Sequence, residues 1–486
     1  MSLLESLPPE LIDNICGCCE LRDIKSLRLT CRYLKDIADS HLLDNVQILL
    51  AESSIRTAEQ IATHPGLSKG PQTLYLGADC LKFLSFFDWS VNRLVKTRTK
   101  DVPAALMQQL LNHKHDEEHY AHYNGETKIW PIVSQIDAAN GVFGEEMQAR
   151  YRDYISLATD ASLLKAPGNL RKRLGRVLQN CHSLKAVILG IGDGIENAHP
   201  LPFKICKRAY DKGLLTPDGY DEDPCTSGVA AMVELVLAAN DTSFSPRTLS
   251  LGWVSHRLLA QDELAGKFGV FLRKVEVLHW VFSIPESYNV AMLEGDILQP
   301  NFEQGAFLRF ISKAENLSHL ELEMPEQVDK WSRVNLNDLF DGLTFPRLAI
   351  FKIQTIRAEP QYFSKLLLRH AATLEFLRFA EIKLTEGDWS DFFESVAGKL
   401  QKLEHMELRG SLDCPGDPWY WFGELKDPSD CKYGSQLAKY VVMGGQLPDM
   451  PAPVLPGADG ESDGDEYPED ESFAGMLMPG NFHLDV

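Results

Sequence analysis

Leu374-Glu375-Phe376-Leu377-Arg378-Phe379 carries the pattern that decides how this chain folds. In an extended segment successive side chains point to opposite faces, so Leu377 and Phe379 share one face while Phe376 and Arg378 share the other. The same L-x-x-L-x-L frame begins at Leu317 (with Leu320 and Leu322), at Leu348 (Phe351, Ile353) and at Leu403 (Met406, Leu408). Successive starts in this series lie 31, 26 and 29 residues apart. Leu184, Val187 and Leu189 form an earlier copy, and Leu249 with Leu251 and Leu272 with Val275 and Val277 form weaker ones. Amphipathic helical stretches precede them at Leu170–Leu178, Val229–Ala239, Leu264–Leu272, Phe307–Ala314, Phe363–His370 and Phe392–Ala397. One strand and one helix per unit, at a recurring period, predicts an α/β solenoid over 169–445 whose neighbouring units bury each other's apolar faces. A compact α/β domain with coincidental spacing is the alternative.

The outward positions of the four clearest copies are His319 and Glu321, Ile350 and Lys352, Phe376 and Arg378, and His405 and Glu407. They predict a stripe of mixed charge with two exposed apolar residues, a composition suited to a partner's hot spot or to a plain solvated strand face.

At the other end of the chain, Leu7-Pro8-Pro9-Glu10-Leu11-Ile12-Asp13-Asn14-Ile15 begins a helix. The prolines lack donors that a helix start leaves unsatisfied anyway, and Glu10 sits where the helix dipole favours an acid. Leu11, Ile15 and Cys18 recur at helical spacing beside Ile12, and Ile24, Leu27, Cys31 and Leu34 form a second stripe. So short a unit needs outside support to bury this much apolar surface, either a partner or the rest of its own chain.

Residues 3–43 resemble the F-box, the motif by which substrate receptors of cullin-RING ubiquitin ligases hold a Skp-type adaptor. The resemblance implies a three-helix module over 1–46 and adaptor contact through Leu7, Pro8, Leu11, Ile12, Ile15, Leu29 and Cys31. Thr30, Leu34 and the Cys18-Cys19 pair depart from the family's usual residues. The strand-helix units are similar to the irregular leucine-rich repeats carried by many fungal F-box proteins, without their asparagine ladder: Leu322 is followed by Glu323 and Leu408 by Arg409. Tyr440-Val441-Val442-Met443-Gly444-Gly445 also looks like the close of many such proteins.

Between the two regions, Val46–Leu50 and Leu74–Leu76 read as short strands that open a segment over 47–168, most of it a helical insertion from Pro103 to Lys165. Its stretch 113–122 holds His113, His115, His119 and His122. The zinc-protease pattern requires Glu directly after the first of two histidines four apart, and Asp116 stands there instead. A solvated loop is favoured and no metal site is assigned.

Gly190-Ile191-Gly192-Asp193-Gly194 lacks the further glycine and helix start of a nucleotide fingerprint. Trp419-Tyr420-Trp421-Phe422 reads as a cap on the repeat array. From Leu447 the chain is rich in Pro, Gly and acid, which predicts a disordered acidic tail over 446–486. Asp459, Glu461, Asp463, Gly464 and Asp470 within it fall on a calcium-loop template that Pro468 interrupts.

Composition narrows the function classes. A net charge of −21 over 486 residues argues against nucleic acid, which requires clustered Lys and Arg. No stretch is long and apolar enough to span a bilayer, and the acidic start does not resemble a secretory signal. Ten cysteines, with Cys16 and Cys19 the lone C-x-x-C spacing and both on an amphipathic helix, give no paired zinc knuckle and suit a reducing compartment, cytoplasm or nucleus. No catalytic motif or cofactor fingerprint stands out. The expectation is therefore a non-catalytic receptor whose F-box binds a Skp-type adaptor, and through it a cullin, while the repeats bind a protein substrate of unknown identity. The competing readings are an interaction scaffold without a ligase role and a metal-dependent enzyme using the histidine loop.

Overall fold

The computed structural model describes residues 6–78, 83, 144–190, 224–252, 254–261, 264–282, 301–324, 334–415, 419–421 and 432–448. The histidine stretch 113–122, residues 191–194 of the glycine loop, the first part of the helical insertion, Phe422 and the acidic tail from 449 lie outside them.

Ten strands form one sheet in chain order: β1 Asn45–Leu49, β2 Thr73–Gly77, β3 Ala186–Gly190, β4 Thr248–Gly252, β5 Val277–Val281, β6 His319–Glu323, β7 Ile350–Ala358, β8 Phe376–Leu384, β9 His405–Asp413 and β10 Trp419–Trp421. The first nine are parallel, and β10 turns back antiparallel against β9. β1 and β2, expected to open a separate segment, are the first two strands of this same sheet.

The register explains why the apolar spacing recurs. Val46, Leu74, Val187, Leu249, Leu278, Leu320, Phe351, Leu377 and Met406 stand side by side across nine strands. Two residues on, Ile48, Leu76, Leu189, Leu251, Trp280, Leu322, Ile353, Phe379 and Leu408 form a second column, and both columns are buried. A slip of one residue in any strand would turn its column positions to the opposite face.

The weaker copy assigned to Leu272, Val275 and Val277 is out of frame by three residues. Leu272 ends a helix and Val277 points outward, and the observed positions are Val275, Leu278 and Trp280. A tryptophan in the last place hid the frame. Its indole N–H donates to the Val254 carbonyl at 3.0 Å, which satisfies the one polar atom that burial would otherwise strand.

Thirteen helices are described: α1 Pro9–Gly17, α2 Leu21–Arg28, α3 Arg32–Ala38, α4 Glu52–Thr63, α5 Gly144–Lys165, α6 Asn169–Asn180, α7 Pro224–Thr242, α8 Ala265–Leu272, α9 Ala306–Ile311, α10 Leu336–Phe340, α11 Pro360–Arg369, α12 Trp389–Val396 and α13 Lys432–Met443. From α6 to α13 each packs on the next, and α4 packs on β1 and α6. The core lies between this row and the inner columns of the sheet, with Leu174, Leu235, Phe271, Phe307, Phe363 and Phe392 contributed from the helix side. Arg171 and Arg173 are committed to this layer. Arg171 pairs with Asp241 at 2.6 Å, and Arg173 bridges Glu52 and Glu59, so it ties α6 to α7 and α4.

β7 to β9 share a kink at one level. Thr355, Glu381 and Gly410 all take left-handed backbone, with φ of 59°, 53° and 62°. Beyond it the inner positions resume at Ile356, Ile382 and Leu412, and one residue of β8 faces two of β9. Glu381 recovers the strain through its side chain: its two carboxylate oxygens accept from the Ser411 amide at 2.8 Å and the Ser411 hydroxyl at 2.7 Å. A Cβ on Gly410 would run into that carboxylate. Gly410→Ala therefore meets both a backbone penalty of about 1–3 kcal/mol and a collision, and its expected outcome is a lower denaturation midpoint with the slope unchanged.

Two buried histidines are held neutral in the core. His370 accepts the Phe345 N–H at Nε2 (3.0 Å), while Nδ1 lies 2.9 Å from the Leu366 carbonyl, so the proton belongs on Nδ1. Burial pushes its basicity down, and burial pushes His256 down to about 4. Both bind a proton more readily when unfolded, near pH 6.5. Stability is thus full above about pH 6.5 and is lost as pH falls toward the folded values. Thermal unfolding followed from about pH 7 to about pH 5 is expected to show a steadily falling midpoint, and a flat profile would refute neutral burial.

Candidate functional site

Two surfaces gather the residues singled out in the sequence. The first is the N-terminal helical module. Ile12, Cys16, Ile24, Leu34 and Ala38 form its own small core, with Leu7, Leu27 and Cys31 packed at the edge. Along α1, Pro8, Leu11, Ile15 and Cys18 lie on an adjoining row three or four residues apart and remain exposed. Leu11 is 49% exposed, and Leu29, at the end of α2, is 88% exposed.

Of the seven expected contact residues, Pro8, Leu11, Ile15 and Leu29 are open to a partner and Leu7 and Cys31 are half-buried. Ile12 is a correction: at 2% exposure its side chain is spent holding the helices together. It sits one residue from Leu11, a third of a turn round the helix, and the sequence alone does not say which of the two adjoining rows turns inward. The Cys31 thiol accepts the Leu34 N–H at 3.5 Å, which makes it the cap of α3 as well. Tyr33 and Leu21, both exposed, extend the apolar surface; the Tyr33 hydroxyl donates to the Leu7 carbonyl at 3.0 Å and pins the chain entering α1.

This module is seated firmly on the sheet. Buried Asp39 pairs with Arg28 on α2, and the turn Asp39–His41 lies against the turn Leu67–Lys69 that leads into β2. A Cβ on Gly70 would strike the Ser40 and Leu43 carbonyls, so only glycine allows this approach. The Asp44 carbonyl accepts the Gln72 and Thr73 amides and continues the contact into β1 and β2.

The second surface is the face of β5–β9 that points away from the helices. His319, Ile350, Phe376 and His405 align across four strands, and Glu321, Lys352, Arg378 and Glu407 align beside them. The expected stripe is thus brought together, but as a bonded network in place of an open row. Glu321 lies 3.2 Å from Lys352 and 3.7 Å from both Arg378 and His319. Glu407 accepts from Arg378 at 2.8 Å and Arg409 at 2.9 Å, with His405 at 3.5 Å.

Ile350 and Phe376, expected as exposed apolar residues, are half-buried. The Phe376 ring stacks on His405 at 5.1 Å, with Lys352 and Arg378 within 6 Å of its centroid. Burial opposes ionisation of Glu321 and Glu407. The surrounding histidines, Lys352 and the arginines outweigh it, so both carboxyls stay well below the usual carboxylate range. Burial and the neighbouring cations together push Lys352 and Arg409 down.

Sequence reasoning missed two members of this surface. Arg409 follows the last position of its L-x-x-L-x-L frame, and the alternation that marks Glu407 as outward marks it too. His279, which lies 3.1 Å from the Ser250 hydroxyl, was concealed by the same frame error that hid Trp280. On β2–β4 the equivalent outward residues Tyr75, Ile188 and Ser250 are buried. Among the described residues no group of His, Cys, Asp and Glu is arranged to hold a metal, and no helix is long and apolar enough to cross a membrane.

Residues 4–45 match the F-box domain family, a span that covers α1–α3 and ends where β1 begins. F-box domains bind Skp-type adaptors and are typical of the substrate adaptors of Skp-cullin-F-box ubiquitin ligases. No curated protein matches the chain.

The different burial of adjacent residues separates folding from docking. Leu11→Ala is expected to leave thermal unfolding unchanged and to weaken adaptor binding by about 1.5–3 kcal/mol, roughly ten- to a hundredfold. Ile12→Ala is expected to lower stability of the module by about 2–5 kcal/mol. Calorimetric titration of adaptor into each variant, alongside its melting curve, checks both; equal effects on both readouts would refute the division.

Proposed function

We propose that this chain is a non-catalytic substrate receptor of a Skp-cullin-F-box ubiquitin ligase. Its N-terminal module holds the adaptor, and the outward face of β5–β9 holds the protein to be ubiquitinated. The observation that carries the reading is an F-box match laid over a module that leaves Pro8, Leu11, Ile15 and Leu29 exposed. In this reading the strand-helix units are leucine-rich-repeat-like and the sheet is the wall of a solenoid, which the in-register apolar columns support.

The receptor itself forms and breaks no bonds. Tethering a substrate near a charged ubiquitin carrier makes the transfer effectively intramolecular, and effective concentration depends on how well the geometry is held. The close seat between the Asp39–His41 turn and Gly70 supports that role, because it sets the docking module at a defined place beside β1 and β2. The reading places the chain in the cytoplasm, the nucleus or both.

Affinity purification of the full chain tests it. Adaptor and cullin are expected together with ubiquitinated client proteins, and Leu11→Ala is expected to deplete adaptor and cullin alike. Adaptor without cullin would favour an interaction scaffold. Phe376→Ala with Arg378→Ala is expected to reduce captured clients at least several-fold while adaptor recovery stays at the wild-type level. Unchanged clients in that double variant would remove the β5–β9 face from the proposal.

A further inference from the structure

The two edges of the sheet are closed differently. At β1 the Ser54 hydroxyl accepts the Leu49 N–H at 2.9 Å and donates to the Gln47 carbonyl at 3.4 Å, so a side chain of the following helix takes the place of a neighbouring strand. At β9 the cover is partial, because β10 pairs only with Ser411, Leu412 and Asp413. From Glu404 to Leu408 no strand lies beyond it among the described residues. The groups turned to that side follow from the ladder. The Glu375 and Phe376 amides donate to the Ala349 carbonyl, and the Glu404 and His405 amides donate to the Glu375 carbonyl in turn. The Glu404 carbonyl is the next acceptor of that series. With His405 and Glu407 directed to β8, alternation turns both backbone groups of Met406 and Leu408 to the open side. Met406 and Leu408 are each 5% exposed, where Leu377 and Phe379, their column neighbours on β8, are 0%.

The chain itself carries a segment that fits this edge. Three places before the L-x-x-L-x-L frames at Leu317, Leu348, Leu374 and Leu403 stand Ala314, Phe345, Ala371 and Leu400, all apolar and all part of the core or packed against it. Leu447, beyond the last helix α13, is likewise packed against the core. Three places after it begins Met450-Pro451-Ala452-Pro453-Val454-Leu455, with apolar residues at every frame position. Leu447 stands five residues before Ala452, as Leu400 stands five before His405. A left-handed glycine precedes each, Gly398 with φ of 65° and Gly445 with φ of 114°.

We infer that residues 452–455 of this chain dock on the open edge as a further strand parallel to β9, with Ala452 opposite His405 and Leu455 opposite Leu408. The prolines select this occupant and this register. The amides of Ala452 and Val454 turn toward β9, and those of Pro453 and Leu455 turn away. Pro453 thus lacks a donor only on the solvent side, where an edge strand tolerates proline. Pro456 falls opposite Arg409, and its missing N–H ends the ladder short of Ser411 and β10. The tether from Leu447 keeps the segment at a high effective concentration beside the edge. The inference is independent of the receptor reading. Its consequence is that the sheet closes its second edge against strands of other chains, and the acidic run from 457 onward starts at the β10 end of β9.

Hydrogen exchange of the full chain, read by mass spectrometry on peptides covering 404–410 and 450–456, tests it. Both stretches are expected to exchange at least about tenfold more slowly than residues 458–472. Val454→Pro removes a donor aimed at β9 and is expected to abolish the protection of both. Leu455→Asp is expected to do the same, because that side chain enters the inner column. Val454→Asp, whose side chain faces outward, is expected to leave both protected. Peptides from β3–β6 stay protected in every variant, which shows that the loss is local.

Rapid exchange at 450–456 in the wild-type chain overturns the inference. Protection of 404–410 alone overturns it in favour of another segment on the edge. Protection of both that survives Val454→Pro overturns the pairing, and sensitivity to Val454→Asp with tolerance of Leu455→Asp overturns the register. Protection that disappears on dilution of the protein overturns it in favour of a second copy as occupant.

Discussion

Every other feature depends on the lateral pairing of short parallel strands. Most of them are five residues long, too short to persist alone, and a parallel pair cannot be closed by a tight turn. Each strand must therefore wait for a helix-containing connection to bring its neighbour alongside. What makes the wait worthwhile is register: two inner columns of nine side chains each form only when all nine parallel strands pair without a slip. A parallel sheet needs cover on its apolar face, and the row of helices from α6 to α13 provides it on the inner side.

The same register creates the outward face. Because side chains alternate, fixing Leu320, Phe351, Leu377 and Met406 inward fixes Glu321, Lys352, Arg378 and Glu407 in one line outward. Residues 31 and 29 apart in the chain, Lys352 with Glu321 and Arg378 with Glu407, thereby become ion-pair partners. The network is half-buried, so removing one member leaves the others with unmatched charge. Phe376 adds an apolar platform to this polar surface, its own ring held by His405.

The N-terminal module meets a different constraint. It has too few residues to hide all its apolar groups, and its small core of Ile12, Cys16, Ile24, Leu34 and Ala38 leaves Leu11, Ile15 and Leu29 outside. Exposure of such residues is a standing invitation to a partner. Seating against Gly66 and Gly70 gives the module a fixed neighbour without covering the apolar row on α1, so docking and anchoring use different sides.

Much of this was written in the chain as periodicity. The L-x-x-L-x-L frames at Leu317, Leu348, Leu374 and Leu403 mark strands whose inner and outer residues follow from alternation alone, and the helices between them follow from the 3.6-residue spacing. The N-terminal motif was equally legible, since prolines, an early acid and spaced apolar residues act within one or two helical turns. What the tertiary structure alone decided was everything that depends on a neighbour distant in sequence. It joined β1 and β2 to the main sheet, placed Trp280 in a column where leucine spacing does not lead, and turned Ile12 inward while leaving Leu11 outside. It also converted a line of mixed charge into a bonded network. A local pattern specifies which residues share a face; only packing specifies what that face meets, because burial and charge pairing are sums over residues that the chain brings together from far apart.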